Sequence, residues 1–180
     1  MLATAACSGS DGGGGGMSSS SGVSPMAVGV TRYVPAARAA VPTMAGTTLD
    51  GGKLALSDYV GLVVVVNVWG SWCAKCRLEE PALEETYRAY QAAGVRFLGI
   101  NDHDDNAAAL AYTRAFGMTY PSLQDPDETL LLQLHTMIPA TSIPSSVIVD
   151  RHGRIAARVI GPITEPRLKQ LLDAVLAEKA

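Results

Sequence analysis

An α/β domain with a central mixed sheet flanked by helices is the architecture this 180-residue sequence predicts, and three observations carry it. Leu62-Val63-Val64-Val65-Val66-Asn67-Val68 is apolar on both faces, as the central strands of covered parallel sheets are. A helix-forming stretch and then a second apolar run, Val95 to Ile100, follow it, which is the order of a βαβ unit. Near the C-terminus two further runs flank a turn containing Gly153, adding an antiparallel hairpin that makes the sheet mixed.

The elements follow in chain order. Thr47 to Leu56 reads as a short N-terminal hairpin turning at Asp50-Gly51. Ala74 to Ala93 reads as a helix interrupted at Pro81, where the missing N–H and the ring clash should produce a kink. Asn106 to Phe116 reads as a helix whose start is favoured by the acidic cluster Asp102-His103-Asp104-Asp105. Glu128 to Leu134 reads as a short helix. Ser145 to Asp150 and Ile155 to Ile160 form the hairpin. The last helix starts at Thr164 with Pro166 in its first turn, and carries Leu168, Leu171, Leu172, Val175 and Leu176 on one face.

Roughly 135 residues from Met44 onward have element-like periodicity, enough for one core of ordinary size. The net charge of −3 offers no polyanion-binding surface, so nucleic acid is not an expected partner. No run of eighteen apolar residues exists that would span a membrane. Residues 1–40 are a different material, and the domain boundary is expected at residue 41. Ser8 to Ser24 is almost wholly Gly and Ser, a composition expected to stay disordered as a tether. Ahead of it, Leu2-Ala3-Thr4-Ala5-Ala6-Cys7 resembles the end of a bacterial lipoprotein signal, which would make Cys7 a lipidation site and place the domain outside the cytoplasmic membrane. The basic and apolar regions of such a signal do not precede Cys7. Either the start lies upstream, or Cys7 is an ordinary cysteine and the chain is cytoplasmic.

The most informative stretch is Trp72-Cys73-Ala74-Lys75-Cys76, at the junction of the first central strand and its helix. Two thiols three residues apart can close a small disulfide ring, and the first lies over the free N–H groups of the helix start, which favours its thiolate. Cys73 is the candidate attacking thiolate and Cys76 the resolving thiol. Half a zinc site is the alternative, but Cys7 is the one other cysteine and no His pair has finger spacing.

Asn67-Val-Trp-Gly-Ser-Trp-Cys-Ala-Lys-Cys-Arg-Leu-Glu-Glu-Pro81 resembles the active-site segment of thioredoxin-fold proteins, and in detail the TlpA/ResA-like branch of extracytoplasmic thiol-disulfide oxidoreductases. Asn67 stands where thioredoxins carry a buried Asp, and Glu79 matches the branch's glutamate three residues after the second cysteine. Ile143-Pro144 matches the family's cis-proline. The Ala74-Lys75 dipeptide departs from the more common Gly-Pro or Glu-Pro. The resemblance extends from about Val41 to the C-terminus and implies a thioredoxin fold, with Asn106 to Leu134 as the branch's central helical insertion.

On this resemblance Glu79 is a candidate for relaying protons; a solvated helix-surface glutamate is the alternative, as expected for Glu80, Glu84 and Glu85. Lys75 would favour the Cys73 thiolate. Trp72 would be an exposed contact for substrate, and Trp69 core packing. The backbone at Ile143, beside Pro144, would pair with an extended substrate chain. The histidines 103, 135 and 152 are scattered and read as surface residues. The implied activity is reduction of substrate-protein disulfides, of the cytochrome c maturation or metal-site thiol type. It needs a disulfide-containing protein as substrate, a membrane thiol-disulfide electron donor, and no metal or other cofactor; nothing suggests more than a monomer. A disulfide oxidant or isomerase would share fold and motif. A copper metallochaperone would have one more residue between its cysteines. A peroxiredoxin would need Pro-x-x-x-Thr/Ser-x-x-Cys, where Val66 and Gly70 stand.

Overall fold

The computed structural model describes Met1 and residues 29–178. Its strands are β1 (Gly29–Arg32), β2 (Ala45–Thr47), β3 (Lys53–Ala55), β4 (Val63–Trp69), β5 (Val95–Asp102), β6 (Ser122–Asp125), β7 (Ser145–Val149) and β8 (Ile155–Ile160). Its helices are α1 (Ala74–Tyr90), α2 (Asn106–Phe116), α3 (Thr129–Gln133) and α4 (Glu165–Leu176). Six strands form one mixed sheet in the order β1-β8-β7-β4-β5-β6, and β2 and β3 pair separately as the expected N-terminal hairpin. Parallel pairing of β4 with β5 and of β5 with β6, and antiparallel pairing of β4 with β7, give the expected mixed character.

Alternation along β4 sorts its side chains. Val63 and Val65 pack with Leu83 and Tyr87 of α1 and Leu168, Leu171 and Leu172 of α4. Val64, Val66 and Val68 pack on the opposite face with Met44, Leu123, Leu131 and Ile138. Period-two alternation therefore sends Asn67 and Trp69 to the α1 face. One row of partners crosses the whole sheet where β4 ends: Gly29, Ile160, Ser145, Val68, Ile100 and Leu123. Gly29 thus lies in the same row as Ser145, next to Pro144, and as Val68, five residues short of Cys73.

Four expectations need correction. Residues ahead of the expected boundary at 41 pack into the domain: β1 is an edge strand on β8, and Arg38 is buried with its guanidinium on Asp150 at 2.9 Å and Glu178 at 2.6 Å. Those two carboxylates are far along the chain, so no local pattern announces them. The expected tether and Cys7 lie outside the described residues. Helix α1 is not interrupted at Pro81, which sits inside it on the exposed side. There the ring meets solvent, and the Arg77 carbonyl alone loses its helical donor. Glu80 and Glu84 are buried rather than solvated, at 1% and 5% exposure. Partners from the loop ahead of β6 cover them: the Tyr120 hydroxyl donates to Glu80 at 2.8 Å, and Thr119 donates to Glu84 through its N–H at 2.8 Å and its hydroxyl at 2.6 Å. Strand β6 extends the sheet beyond the strands expected.

Gly99 shows how tightly the sheet is fitted beneath the site. A Cβ there would lie 2.0 Å from Ser122 Oγ and 2.7 Å from Trp69 Nε1, the two groups joined by the indole hydrogen bond of 3.1 Å. Gly99→Ala should lower stability by about 1–3 kcal/mol or more, read as the urea midpoint; an unchanged midpoint would mean that β5 and β6 are not held this closely.

Candidate active site

Cys73 is the N-cap residue of α1, with extended backbone at φ −82° and ψ 105°, and its Sγ accepts the Cys76 N–H at 3.1 Å. The last residues of β4 and a tight turn at Gly70, whose carbonyl accepts the Cys73 N–H at 3.0 Å, deliver it there. Cys73 and Cys76 are joined in a disulfide and are 5% and 1% exposed. Both pack with Trp69, Leu49, Ala109 and Tyr112. The indole of Trp69 stacks on Tyr112 at 4.7 Å between centroids and is fully buried, whereas Trp72 is 55% exposed.

The turn before Cys73 is braced from two sides, by the end of β5 with the loop after it and by the first turn of α1. Asp104 accepts from the Ser71 N–H at 2.6 Å and the Ser71 hydroxyl at 2.7 Å, and Arg77 donates to the Ser71 carbonyl at 2.6 Å. The Trp72 indole N–H donates to the Asp102 carbonyl at 3.2 Å. Gly70 is needed here for space: a Cβ would meet the Trp72 ring at 2.5 Å. A threonine three residues before Cys73 therefore has no room while Trp72 keeps this position.

Beneath the dithiol lie buried acids. Glu79 is 3% exposed; its Oε1 accepts from Asn67 Nδ2 at 3.0 Å and its Oε2 from the Ile163 N–H at 3.0 Å. Asn67 Nδ2 also donates to Ser146 Oγ at 3.1 Å. Burial pushes the Glu79 carboxyl up to about 7 against the two hydrogen bonds, which lower it. Glu80 goes up to about 8, mainly through burial, with the charges of Glu79 and Glu84 adding to it and the Tyr120 hydroxyl opposing it. Burial also raises the Tyr112 and Tyr120 hydroxyls.

The sequence-derived candidates thus fall into two groups. Asn67, Trp72, Cys73, Cys76 and Glu79 meet around the start of α1, and Lys75 is exposed on its first turn. The Ile143–Pro144 peptide bond is cis; Pro144 is buried and its carbonyl accepts the Gly161 N–H at 2.9 Å. Ile143 packs against the same cluster as the two cysteines. Cys7 lies outside the described residues. Sequence reasoning missed the Asp104–Ser71–Arg77 brace and the burial of Glu80. For Glu80 a signal existed: it is four residues beyond Cys76, on the helical face of that thiol.

The fold and the dithiol together define a thioredoxin-fold thiol-disulfide oxidoreductase. The AhpC/TSA family profile matches residues 37–158, and the chain belongs to that family. It is 28% identical over 134 residues to the thiol-disulfide oxidoreductase ResA of Geobacillus thermodenitrificans, covering 74% of this chain and 75% of that one. A secreted thiol-disulfide isomerase from Corynebacterium glutamicum has a similar structure, with a TM-score of 0.78, 32% identity, and 83% and 92% of the two chains covered. A DsbF homologue from Corynebacterium diphtheriae is also similar, with a TM-score of 0.76, 32% identity, and 81% and 92% covered.

An acid whose pKa is raised on folding binds more protons in the folded state, so its contribution to stability is lost as pH climbs through the raised value. With Glu79 at about 7 and Glu80 at about 8 against an ordinary 4.5, and Asp102 also raised, to about 6, the melting temperature should fall between pH 5 and 8. Glu79→Gln and Glu80→Gln should each flatten that fall in circular-dichroism melts; equal falls in all three proteins would mean that neither carboxyl is held neutral.

Proposed function

We propose that this chain is a protein disulfide reductase acting outside the cytoplasmic membrane, with Cys73 as its attacking thiolate and Cys76 as its resolving thiol. The observation that carries the reading is the placement of Cys73 as N-cap of α1, where the helix N–H groups meet its sulfur and Cys76 lies one turn deeper. Cys73 thiolate attacks a substrate disulfide and forms a mixed disulfide. Cys76 then attacks Cys73, the substrate leaves as a dithiol, and the Cys73–Cys76 bond forms. The pair is reduced again by a thiol donor, which in an extracytoplasmic compartment is a membrane thiol-disulfide carrier.

The surrounding groups have graded parts in this reading. Trp72 offers its exposed ring as an apolar wall for the substrate segment, and the backbone at Ile143, held beside Pro144, pairs with that segment as an added strand. Lys75 adds a positive charge to the first turn of α1, favouring the Cys73 thiolate. Glu79, three residues beyond Cys76 and fixed by Asn67 and the Ile163 N–H, sets how readily Cys76 loses its proton. Asn67 holds the carboxyl without titrating itself.

No helix among the described residues is long and apolar enough to cross a membrane. Anchoring is assigned to an acylated Cys7, with the Gly/Ser-rich stretch from Ser8 to Ser24 as the proposed tether. Apocytochrome haem-attachment cysteines or copper-site thiols are the proposed substrates. The secreted Corynebacterium glutamicum relative is described as an isomerase, which favours isomerisation as the second reading.

With a disulfide-bonded peptide and a dithiol donor, the chain should turn over, and Cys73→Ser should abolish turnover. Cys76→Ser should accumulate a mixed disulfide through Cys73 in non-reducing mass spectra. Peroxide should not be consumed. Turnover surviving in Cys73→Ser would overturn the assignment of the attacking thiol.

A further inference from the structure

Glu80 is buried in the helix that carries the dithiol, and nothing in the exchange described so far uses it. Glu79 and Glu80 stand at i+3 and i+4 from Cys76, and helical side chains lean back toward the N-terminus, so both are directed at the turn of the resolving thiol. Their oxygens are not equivalent. Glu79 accepts an N–H bond on each oxygen, at 3.0 Å from Asn67 and 3.0 Å from Ile163. Glu80 accepts the Tyr120 hydroxyl on Oε2 at 2.8 Å, and its Oε1 is buried without a hydrogen-bond partner among the described residues. Two N–H donors stabilise a carboxylate; a buried oxygen with no donor stabilises the protonated acid.

The charged and titratable neighbours point the same way. On its own helix Glu80 faces the like charges of Glu79 and Glu84, and Glu84 is itself met by Arg88 and Thr119. From the loop ahead of β6 comes Tyr120, and from α2 comes Tyr112, whose hydroxyl also has no partner among the described residues. Of the two cations nearby, Arg88 is engaged by Glu84, and Arg77 lies over the Tyr112 ring at 5.7 Å. Tyr112 in turn packs in the cluster that holds Cys73 and Cys76, which ties the Glu80 environment to the dithiol.

We propose that Glu80 is the seat of the proton that Cys76 exchanges, giving it to the Cys76 sulfur when the disulfide is opened and taking it back when the disulfide re-forms. The proposal rests on the reading of Cys76 as the resolving thiol. In the reductive half a donor thiolate attacks Cys73 Sγ and a new sulfur–sulfur bond forms there. The bond to Cys76 breaks with its electron pair on the Cys76 sulfur, and the Glu80 acid protonates that sulfur and becomes a carboxylate; the donor's second thiolate then attacks the donor sulfur bound to Cys73, so the donor leaves as a disulfide and Cys73 as a thiolate. In the oxidative half the Cys76 thiol returns its proton to Glu80. Its sulfur then attacks Cys73 in the mixed disulfide, and the substrate sulfur departs with the electron pair. Glu79, with both oxygens already engaged, shapes the field and does not store the proton. At neutral pH the disulfide-bonded protein is poised to donate, since burial holds the Glu80 acid form up to about 8.

The test is the rate at which dithiothreitol reduces the disulfide-bonded full chain between about pH 6 and 9.5, sampled by acid quench and alkylation and divided by the dithiothreitol thiolate concentration. For the unaltered chain this normalised rate should fall above about pH 8, where the acid form is lost. Glu80→Gln should be slower at pH 7 by about tenfold or more and show no such fall. Glu79→Gln should keep the fall and move it to lower pH, because a neighbouring negative charge is gone. Tyr120→Phe keeps Glu80 but removes its hydrogen-bond donor, so the fall should move to higher pH; this variant decides the matter if Glu80→Gln does not fold. A fall kept in Glu80→Gln and lost in Glu79→Gln would seat the proton on Glu79 and overturn the proposal, as would a fall unmoved in Tyr120→Phe. A chain whose Cys73–Cys76 bond dithiothreitol does not open at any pH would instead overturn the dithiol reading itself.

Discussion

Cys73 capping α1 at the end of β4 is the constraint on which the rest of the site depends. Because the strand ends at Trp69 and the helix begins at Ala74, four residues must turn the chain and leave the Cys73 sulfur over the first helical N–H groups. Everything further along α1 is then fixed by its period. Cys76 falls one turn inward, and Glu79 and Glu80 fall one turn beyond that. On the sheet side, alternation fixes Asn67 and Trp69 on the face that α1 covers, so the Asn67–Glu79 contact of 3.0 Å follows from where β4 stops. The turn itself is too short to hold its own shape, and the end of β5 with the loop after it supplies that shape through the Asp102 carbonyl and Asp104.

This arrangement carries an energetic cost that the fold meets elsewhere. Three carboxyls on one helix are buried, and each is an expensive group to remove from water. Glu84 is fully engaged by Thr119 and Arg88, so its burial is compensated. Glu79 has two donors and Glu80 one, so their burial is compensated less completely and their protonation is displaced upward. The large apolar layers on both faces of the sheet, with β4 wholly buried between them, are what make such groups affordable. A redox site whose thiols exchange protons can use acids that titrate near neutral pH, and burial is the direct way to obtain them.

The sequence was most legible where one local pattern decides the outcome. The valine run gave β4, the acidic cluster Asp102-His103-Asp104-Asp105 ahead of Asn106 marked the start of α2, and Cys-x-x-Cys at a strand–helix junction gave the dithiol. It was least legible where a partner far along the chain decides. Ser122–Asp125 has no alternating apolar pattern and becomes a strand because β5 is there to pair with it. Gly29–Arg32 becomes an edge strand because β8 offers its free side. Glu80 and Glu84 look like solvated helix residues until Thr119 and Tyr120 cover them. Pro81 reads as a break but is placed on the outer face of α1, where the helix tolerates it. The active-site motif was therefore visible in one segment, whereas the acid environment beneath it depends on contacts spanning about forty residues, such as Tyr120 on Glu80.

The central claim is that the Cys73–Cys76 pair works as a reductant, and its reduction potential tests that claim most directly. The measurement is made on the full chain carrying Cys7→Ser, by alkylation and mass shift across dithiol redox buffers. The account predicts a value near or below that of thioredoxin, about −270 mV, so that the reduced pair drives electrons into substrate disulfides. A value between about −120 and −180 mV would contradict it and make the protein an oxidant or isomerase.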